Sequence, residues 1–198
     1  MRLTNSVPQL VSSGLWQWLQ GQGLERFELL RKADEWLFRG TILTSVLDAA
    51  TEARYEIACD SRFRTLWANV SVRDASGERS LQITVKDGRW HENGSENQTV
   101  EGAIDIDLGW SPSTNTLPIR RLALGRGLTS GEFIAAWVRF PDLTLQPLAQ
   151  EYLRLDARLY RYSSRGGAFV ADLTVDDDGL VLDYQGFWRR VEKNGKPK

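Results

Sequence analysis

Asp105 and Asp107 are the residues of this chain whose type and spacing come nearest to chemistry. They alternate with Ile104, Ile106 and Leu108. On an extended strand both carboxylates therefore stand on one face, roughly 7 Å apart, and the aliphatic side chains take the other. The segment from Gly109 to Pro118 then breaks the alternation with two prolines and with Ser111, Ser113, Thr114, Asn115 and Thr116. Pro118 fits the opening of a strand over 119–125, where its missing donor costs least. On that strand Arg120 and Arg121 point to opposite faces, so at most one shares a cavity with the aspartates. Three chemistries are open to this set. The carboxylates could act as general acid and base in sugar hydrolysis, although such pairs usually come from separate elements. Asp105, Asp107, Asn115 and one arginine could hold the hydroxyls or charge of a ligand. Or the charges could neutralise one another internally, since unpaired buried charge is costly.

Other reactive constellations are missing. Asp176-Asp177-Asp178-Gly179 invites a calcium reading, but the twelve-residue loop would begin at Thr174 and end at Gln185, without its two obligatory carboxylates. Thr129-Ser130-Gly131 lacks the spacing of a nucleophile elbow. His91 is the sole histidine and reads as a surface residue beside Trp90, while Cys59, the sole cysteine, alternates with Tyr55 and Ile57 and reads as core. A single cysteine excludes an internal disulfide and a cysteine-rich zinc site. No glycine-rich phosphate loop occurs. No metal and no cofactor are expected.

Composition leans towards binding. The 198 residues include 8 Trp, 7 Phe and 5 Tyr against one His and one Cys, so flat side chains abound where catalytic ones are scarce. Lys plus Arg is 25 and Asp plus Glu is 26, which leaves no excess positive charge for general nucleic-acid binding. Trp36, Trp67, Trp90, Trp110, Trp137 and Trp188 fall in or beside six different strand-like runs; core packing accounts for most, and Trp67, Trp110 and Trp137 are candidates to line a hollow. No apolar run reaches membrane-spanning length, and no targeting signal stands at the start, so a cytoplasmic protein without integral membrane contact is expected. Three Asn-X-Ser/Thr tripeptides, at Asn69, Asn93 and Asn97, are read as coincidental for the same reason.

The elements that must position these residues are strands. From residue 25 onward the apolar period is mostly two, as in Leu81-Ile83-Val85. Asp74-Ala75-Ser76-Gly77, Asp87-Gly88, Arg165-Gly166-Gly167 and Asp178-Gly179 mark hairpin turns. Strands are predicted near 25–31, 36–46, 52–59, 63–73, 79–86, 100–108, 119–125, 132–140, 143–148, 151–163, 168–176 and 180–190. So many strands joined by short links imply antiparallel pairing, in a sheet that must curl, close or split. Residues 1–14 carry a helical spacing interrupted by Gly14 and are read as an extension, 193–198 as a loose tail, and the chain as a single domain.

The run Thr114 to Leu122, TNTLPIRRL, preceded by Asp105-Ile106-Asp107-Leu108, resembles a bacterial family of putative glycolipid-binding proteins. Arg54-Tyr55-Glu56-Ile57 with Asp60 and Arg64-Thr65, Asp87-Gly88-Arg89-Trp90, and Asp178-Gly179-Leu180-Val181 with Asp183-Tyr184 are similar to further parts of that family in order and spacing. The resemblance covers about residues 16–190. It implies an all-β fold: a highly curved antiparallel sheet forming an open or incomplete barrel, with at most short helices, similar to the periplasmic lipoprotein-localisation factors. Those factors are exported, so the absence of a signal here favours a cytoplasmic binder over a carrier between membranes. The expected ligand is a small amphipathic molecule, a lipid or glycolipid, with its tail on apolar strand positions. Its head would be held by Asp105, Asp107, Trp110, Asn115, Arg120, Arg121, Trp67 and Trp137. The alternative is an enzyme acting on a lipid or sugar derivative through Asp105 or Asp107.

Overall fold

The computed structural model describes residues 7–46 and 49–191. The start of the helical spacing, at Leu3, and the tail after 192 lie outside the described residues. Residues 9–14, read above as an extension, form the first half of a strand, β1 (Gln9–Trp18). It is followed by β2 (Gly23–Lys32), β3 (Glu35–Val46), β4 (Ala49–Cys59), β5 (Thr65–Asp74), β6 (Gly77–Lys86), β7 (Arg89–Glu92) and β8 (Ser95–Glu96). Then come β9 (Ile106–Leu108), one short helix α1 (Thr116–Leu122), and β10 (Phe133–Val138), β11 (Leu145–Asp156), β12 (Leu159–Ser164), β13 (Phe169–Val175), β14 (Val181–Tyr184) and β15 (Trp188–Arg190).

All the strands belong to one sheet, in the order β8-β7-β6-β5-β4-β3-β2-β1-β15-β14-β13-β12-β11-β10-β9. Neighbours are antiparallel except β9 and β10, which run parallel with Asp107 opposite Trp137. The order has two ends, at β8 and β9, so the curled sheet does not close into a barrel. A crosspiece spans its hollow: the Trp90 indole donates to the Ala103 carbonyl (2.9 Å), and the Ile106 amide donates to the Thr65 hydroxyl (3.0 Å). Through it the strand beside β10 is also tied to the start of β5.

Alternation builds the core. In β4, Thr51, Ala53, Tyr55, Ile57 and Cys59 are buried, and in β5 Ala68, Val70 and Val72. All of these but Thr51 join Phe27, Leu29, Trp16 and Leu173 in one inner cluster. A second, smaller cluster of Leu30, Leu37 and Ala58, with Trp67 against it, takes the opposite phase of the same strands and so lies on the outer face.

Hairpin chemistry falls where the turn residues stand. Asp87 and Gly88 both have positive φ (52° and 77°), as a two-residue type I′ turn between β6 and β7 requires. The predicted run 151–163 is two strands: β11 begins earlier and turns at Ala157–Arg158, which pairs Tyr152 with Tyr162. The predicted 180–190 likewise divides into β14 and β15.

The segment 119–125 is a correction: it is helical. A 3-10 turn at Ser113–Asn115 runs into α1, and Pro118 sits in the helix's first turn. Both a strand edge and a first helical turn tolerate a missing N–H, so the proline alone did not distinguish them. Burial did: Leu117 is fully enclosed and Ile119 nearly so. With residues 111–116 they plug the hollow of the curl.

Candidate functional site

The polar residues of the nonapeptide hold the plug in place. Thr114 Oγ1 accepts from the Leu108 amide (3.1 Å) and Thr116 Oγ1 donates to the Gly179 carbonyl (3.0 Å). Asn115 Oδ1 accepts from the Tyr152 hydroxyl (2.8 Å). Arg121 clasps Asp105, with Nη2 at 2.6 Å and Nε at 3.0 Å. That pair is largely dry, the Asp105 side chain being 2% exposed and Arg121 14%.

Asp105 and Asp107 share the inward face of the sheet, as their spacing requires, but they meet different partners. Burial raises the Asp105 carboxyl, against the opposing pull of Arg121. Among the described residues Asp107 pairs with no cation; Gln150 of β11 donates to its Oδ2. Burial pushes Asp107 up to about 6, with the Gln150 bond lowering it and the Asp105 charge raising it further.

Asp107 stands on the wall of a cavity of about 170 Å³. Aromatic rings from five strands and a turn line it: Trp137, Tyr162, Phe169, Tyr184, Phe187 and Trp188. Ser111, Asn115, Ser164 and Arg165 supply its other polar groups. The Arg139 and Arg165 guanidinium groups lie against the Trp137 ring, 5.5 and 5.2 Å from its centroid. Its indole nitrogen occupies the place that a side chain on Gly109 would need, 2.1 Å from that ideal Cβ position. Only glycine permits this approach.

A buried relay continues behind the cavity. Ser111 donates to Glu25 Oε1 (2.8 Å), as does the Tyr55 hydroxyl (2.6 Å). With its one proton so placed, Ser111 Oγ accepts from Ser113, whose amide lies at 3.1 Å and hydroxyl at 2.8 Å. Glu25 is fully buried and its Oε2 has no hydrogen-bond partner. Burial pushes its carboxyl up to about 8, against the two hydrogen bonds. At neutral pH it is therefore a neutral acid, which avoids stranding a charge in the core. The sequence reading passed over Glu25. Its signal was present: in β2 it shares the inward phase of Phe27 and Leu29, a position an acid occupies only with partners.

Of the residues singled out from sequence, Asp107, Asn115 and Trp137 line this cavity. Arg120 and Arg121 line a separate groove. Asp105 faces Arg121 between the two, and Trp110 packs on Tyr55 and Phe140 away from both. Trp67 lies on the outer face against Leu30, Leu37 and Ala58, because Ala68, Val70 and Val72 hold the inward phase of β5. The segment from Gly109 to Pro118 is a plug: residues 111–118 are all buried.

A cavity of aromatic faces with one carboxylate and a few hydroxyl and amide groups is the chemistry of a ligand that is polar at its edges and flat on its faces. The family described as "Putative glycolipid-binding" matches residues 14–190. The chain belongs to that family. A crystal structure of a DUF1089 family protein from Pseudomonas aeruginosa is similar over 96% of this chain and 99% of that one, with 30% sequence identity and a TM-score of 0.77. No match is found among curated proteins.

Proposed function

We propose that the protein binds the sugar part of a glycolipid in the aromatic cavity beside Asp107 and leaves the acyl chains outside. The observation that carries this reading is the cavity's combination of size and lining. At about 170 Å³ it falls below the roughly 300–1,000 Å³ typical of sites that enclose a drug-sized ligand. It suits one ring, not a lipid tail. The Trp137 and Trp188 faces match the C–H faces of a sugar, and Asp107, Asn115 and Ser164 are placed to take its hydroxyls. The family's description supports a binding role of this kind. Asp105, committed to Arg121, is not on the cavity wall, so a hydrolytic carboxylate pair is not assembled there among the described residues.

Tryptophan fluorescence tests it, because Trp137 and Trp188 line the cavity. Titration with an alkyl glucoside should change the emission and raise Tm by mass action. A fatty acid of equal chain length should do neither. Trp137→Ala should weaken glucoside binding about tenfold, roughly the value of one lost ring contact. Equal responses to fatty acid and glucoside, or an unchanged affinity in Trp137→Ala, would overturn the assignment.

A further inference from the structure

The sugar cavity makes no use of the arginines that end the nonapeptide. They open on a second hollow, about 790 Å³, which shares no lining residue with the first. Six arginines line it, brought by four separate segments. Arg62 and Arg64 come from the turn between β4 and β5, Arg120 and Arg121 from α1, Arg154 from β11 and Arg158 from the β11–β12 turn. The chain as a whole carries a net charge of −1, so this concentration is local.

Two aspartates also line the groove, and both are already engaged. Asp177 binds Arg158 (2.6 Å), and Asp176 binds Arg190 (2.8 Å) outside the lining. Arg64 is held by Asp60 (2.7 Å) and Arg121 by Asp105 (2.6 Å). Arg62, Arg120 and Arg154 remain without a carboxylate among the described residues.

Two of these three are nevertheless held in place. Arg154 donates to the carbonyls of Leu124 (2.6 Å), Ala157 (2.8 Å) and Asp156 (3.2 Å), which fix the guanidinium without neutralising it. Arg120 lies over the Phe63 ring at 5.1 Å. Phe63 is itself locked: it stacks on Trp36 at 4.9 Å, in a tight turn whose amides, from Arg62 and Arg64, both donate to Asp60 Oδ1. Like charges gathered in one groove repel, and an anion placed among them removes that cost and gains charge-assisted hydrogen bonds. Guanidinium forks fit the oxygens of a phosphoryl group, and the volume lies in the range of small-molecule sites.

We infer that this groove binds a phosphate-bearing ligand, with the phosphoryl oxygens on Arg62, Arg120 and Arg154. The phosphate can belong to a free small molecule or to a lipid head, and the test has an arm for each. In low salt, inorganic pyrophosphate is titrated calorimetrically. In parallel the protein is sedimented with phosphatidylcholine vesicles, with and without phosphatidic acid. The double variant Arg62→Gln/Arg120→Gln alters two exposed side chains and should keep the wild-type Tm.

Binding of pyrophosphate that weakens about tenfold or more in the double variant, and weakens with added salt, is the expected result. Pyrophosphate binding without vesicle binding names a soluble phosphate. Sedimentation that needs phosphatidic acid, and is reversed by pyrophosphate, names a lipid head. The inference is overturned if neither probe binds, or if the folded double variant binds as the wild type does. Trp137→Ala should leave pyrophosphate binding unchanged, so loss of the sugar site and loss of the phosphate site are read separately.

Discussion

The aromatic cavity and the arginine groove border opposite ends of β12: Tyr162 and Ser164 line the first, Arg158 and Tyr160 the second. Their chemistry is opposed. The cavity gathers rings around a carboxyl whose protonation burial favours, whereas the groove gathers fixed positive charge. Their construction is opposed as well. Most of the cavity's lining comes from strands, where alternation decides which side chain points inward. The groove is built mainly from turns and a short helix, where the period-two rule does not apply. The plug serves both, since Asn115 lines the cavity and Arg121 the groove. A protein with two such sites can be altered at one and read at the other.

The largest expected effect tests the relay behind the cavity. The folded Glu25 carboxyl stands at about 8, against 4.5 for an ordinary glutamate. Between those values the folded state holds a proton that the unfolded state has released. Stability therefore falls as pH rises through that window, by at most about 5 kcal/mol. Asp107, raised from 3.8 to about 6, acts in the same direction lower down. Glu25→Gln has no proton to lose and keeps an acceptor for Tyr55 and Ser111. Its Tm should be nearly flat between about pH 5.5 and 8.5, where the wild type's falls. A wild type with the same flat profile would refute the buried neutral acid. Pyrophosphate binding in the groove should not follow the titration of Glu25.

Next in size is the joint between the two sites. Asp105→Ala strands Arg121 in a nearly dry position, and removing one partner of such a pair costs about 3–5 kcal/mol. Urea unfolding would measure it. An effect under about 1 kcal/mol would mean the pair behaves as an exposed one.

The sequence revealed these two regions unequally. The shared face of Asp105 and Asp107 follows from their spacing, and so do the hairpins at Asp87-Gly88 and Asp178-Gly179, because period two and positive φ are local properties. Which face is concave is not local; it depends on how the whole sheet curls, and that is why Trp67 could be offered as a lining residue although β5 turns it outward. Pro118 was compatible with strand and helix alike. The arginine groove was harder to read, since Arg62, Arg154 and Arg158 join Arg120 and Arg121 only through the fold. Glu25 lay between these cases: its phase was readable, but its partners Tyr55 and Ser111 stand 30 and 86 residues away.

Gly109→Ala is expected to damage the cavity alone. The added methyl would stand 2.1 Å from the Trp137 indole nitrogen, so the ring must leave its place beside Arg139 and Arg165. Overpacking of this kind costs about 1–3 kcal/mol. Glucoside affinity should fall with it while pyrophosphate affinity stays. If both ligands are lost together, the plug has moved as a body and the two sites are not separable.

The smallest effect is the sharpest test of what Asp107 does. Among the described residues its carboxylate is the sole acid on the cavity wall, and its one hydrogen bond comes from Gln150. Asp107→Asn preserves shape and removes the charge. Because burial raises the folded carboxyl from 3.8 to about 6, ionising it at neutral pH works against the folded state by at most about 3 kcal/mol, so Asp107→Asn should raise Tm at pH 7 and not lower it. Binding should respond differently. Ionised Asp107 offers two acceptor oxygens to a sugar's hydroxyls, and a charged acceptor makes the stronger hydrogen bond, so glucoside affinity should drop about tenfold at pH 8. At pH 5, where the wild-type carboxyl is mostly protonated, wild type and Asp107→Asn should bind almost alike. A tenfold gap that persists at pH 5 would show that the amide disturbs the cavity's shape. No gap at either pH would mean that the sugar does not touch Asp107, and the aromatic faces would have to account for binding on their own.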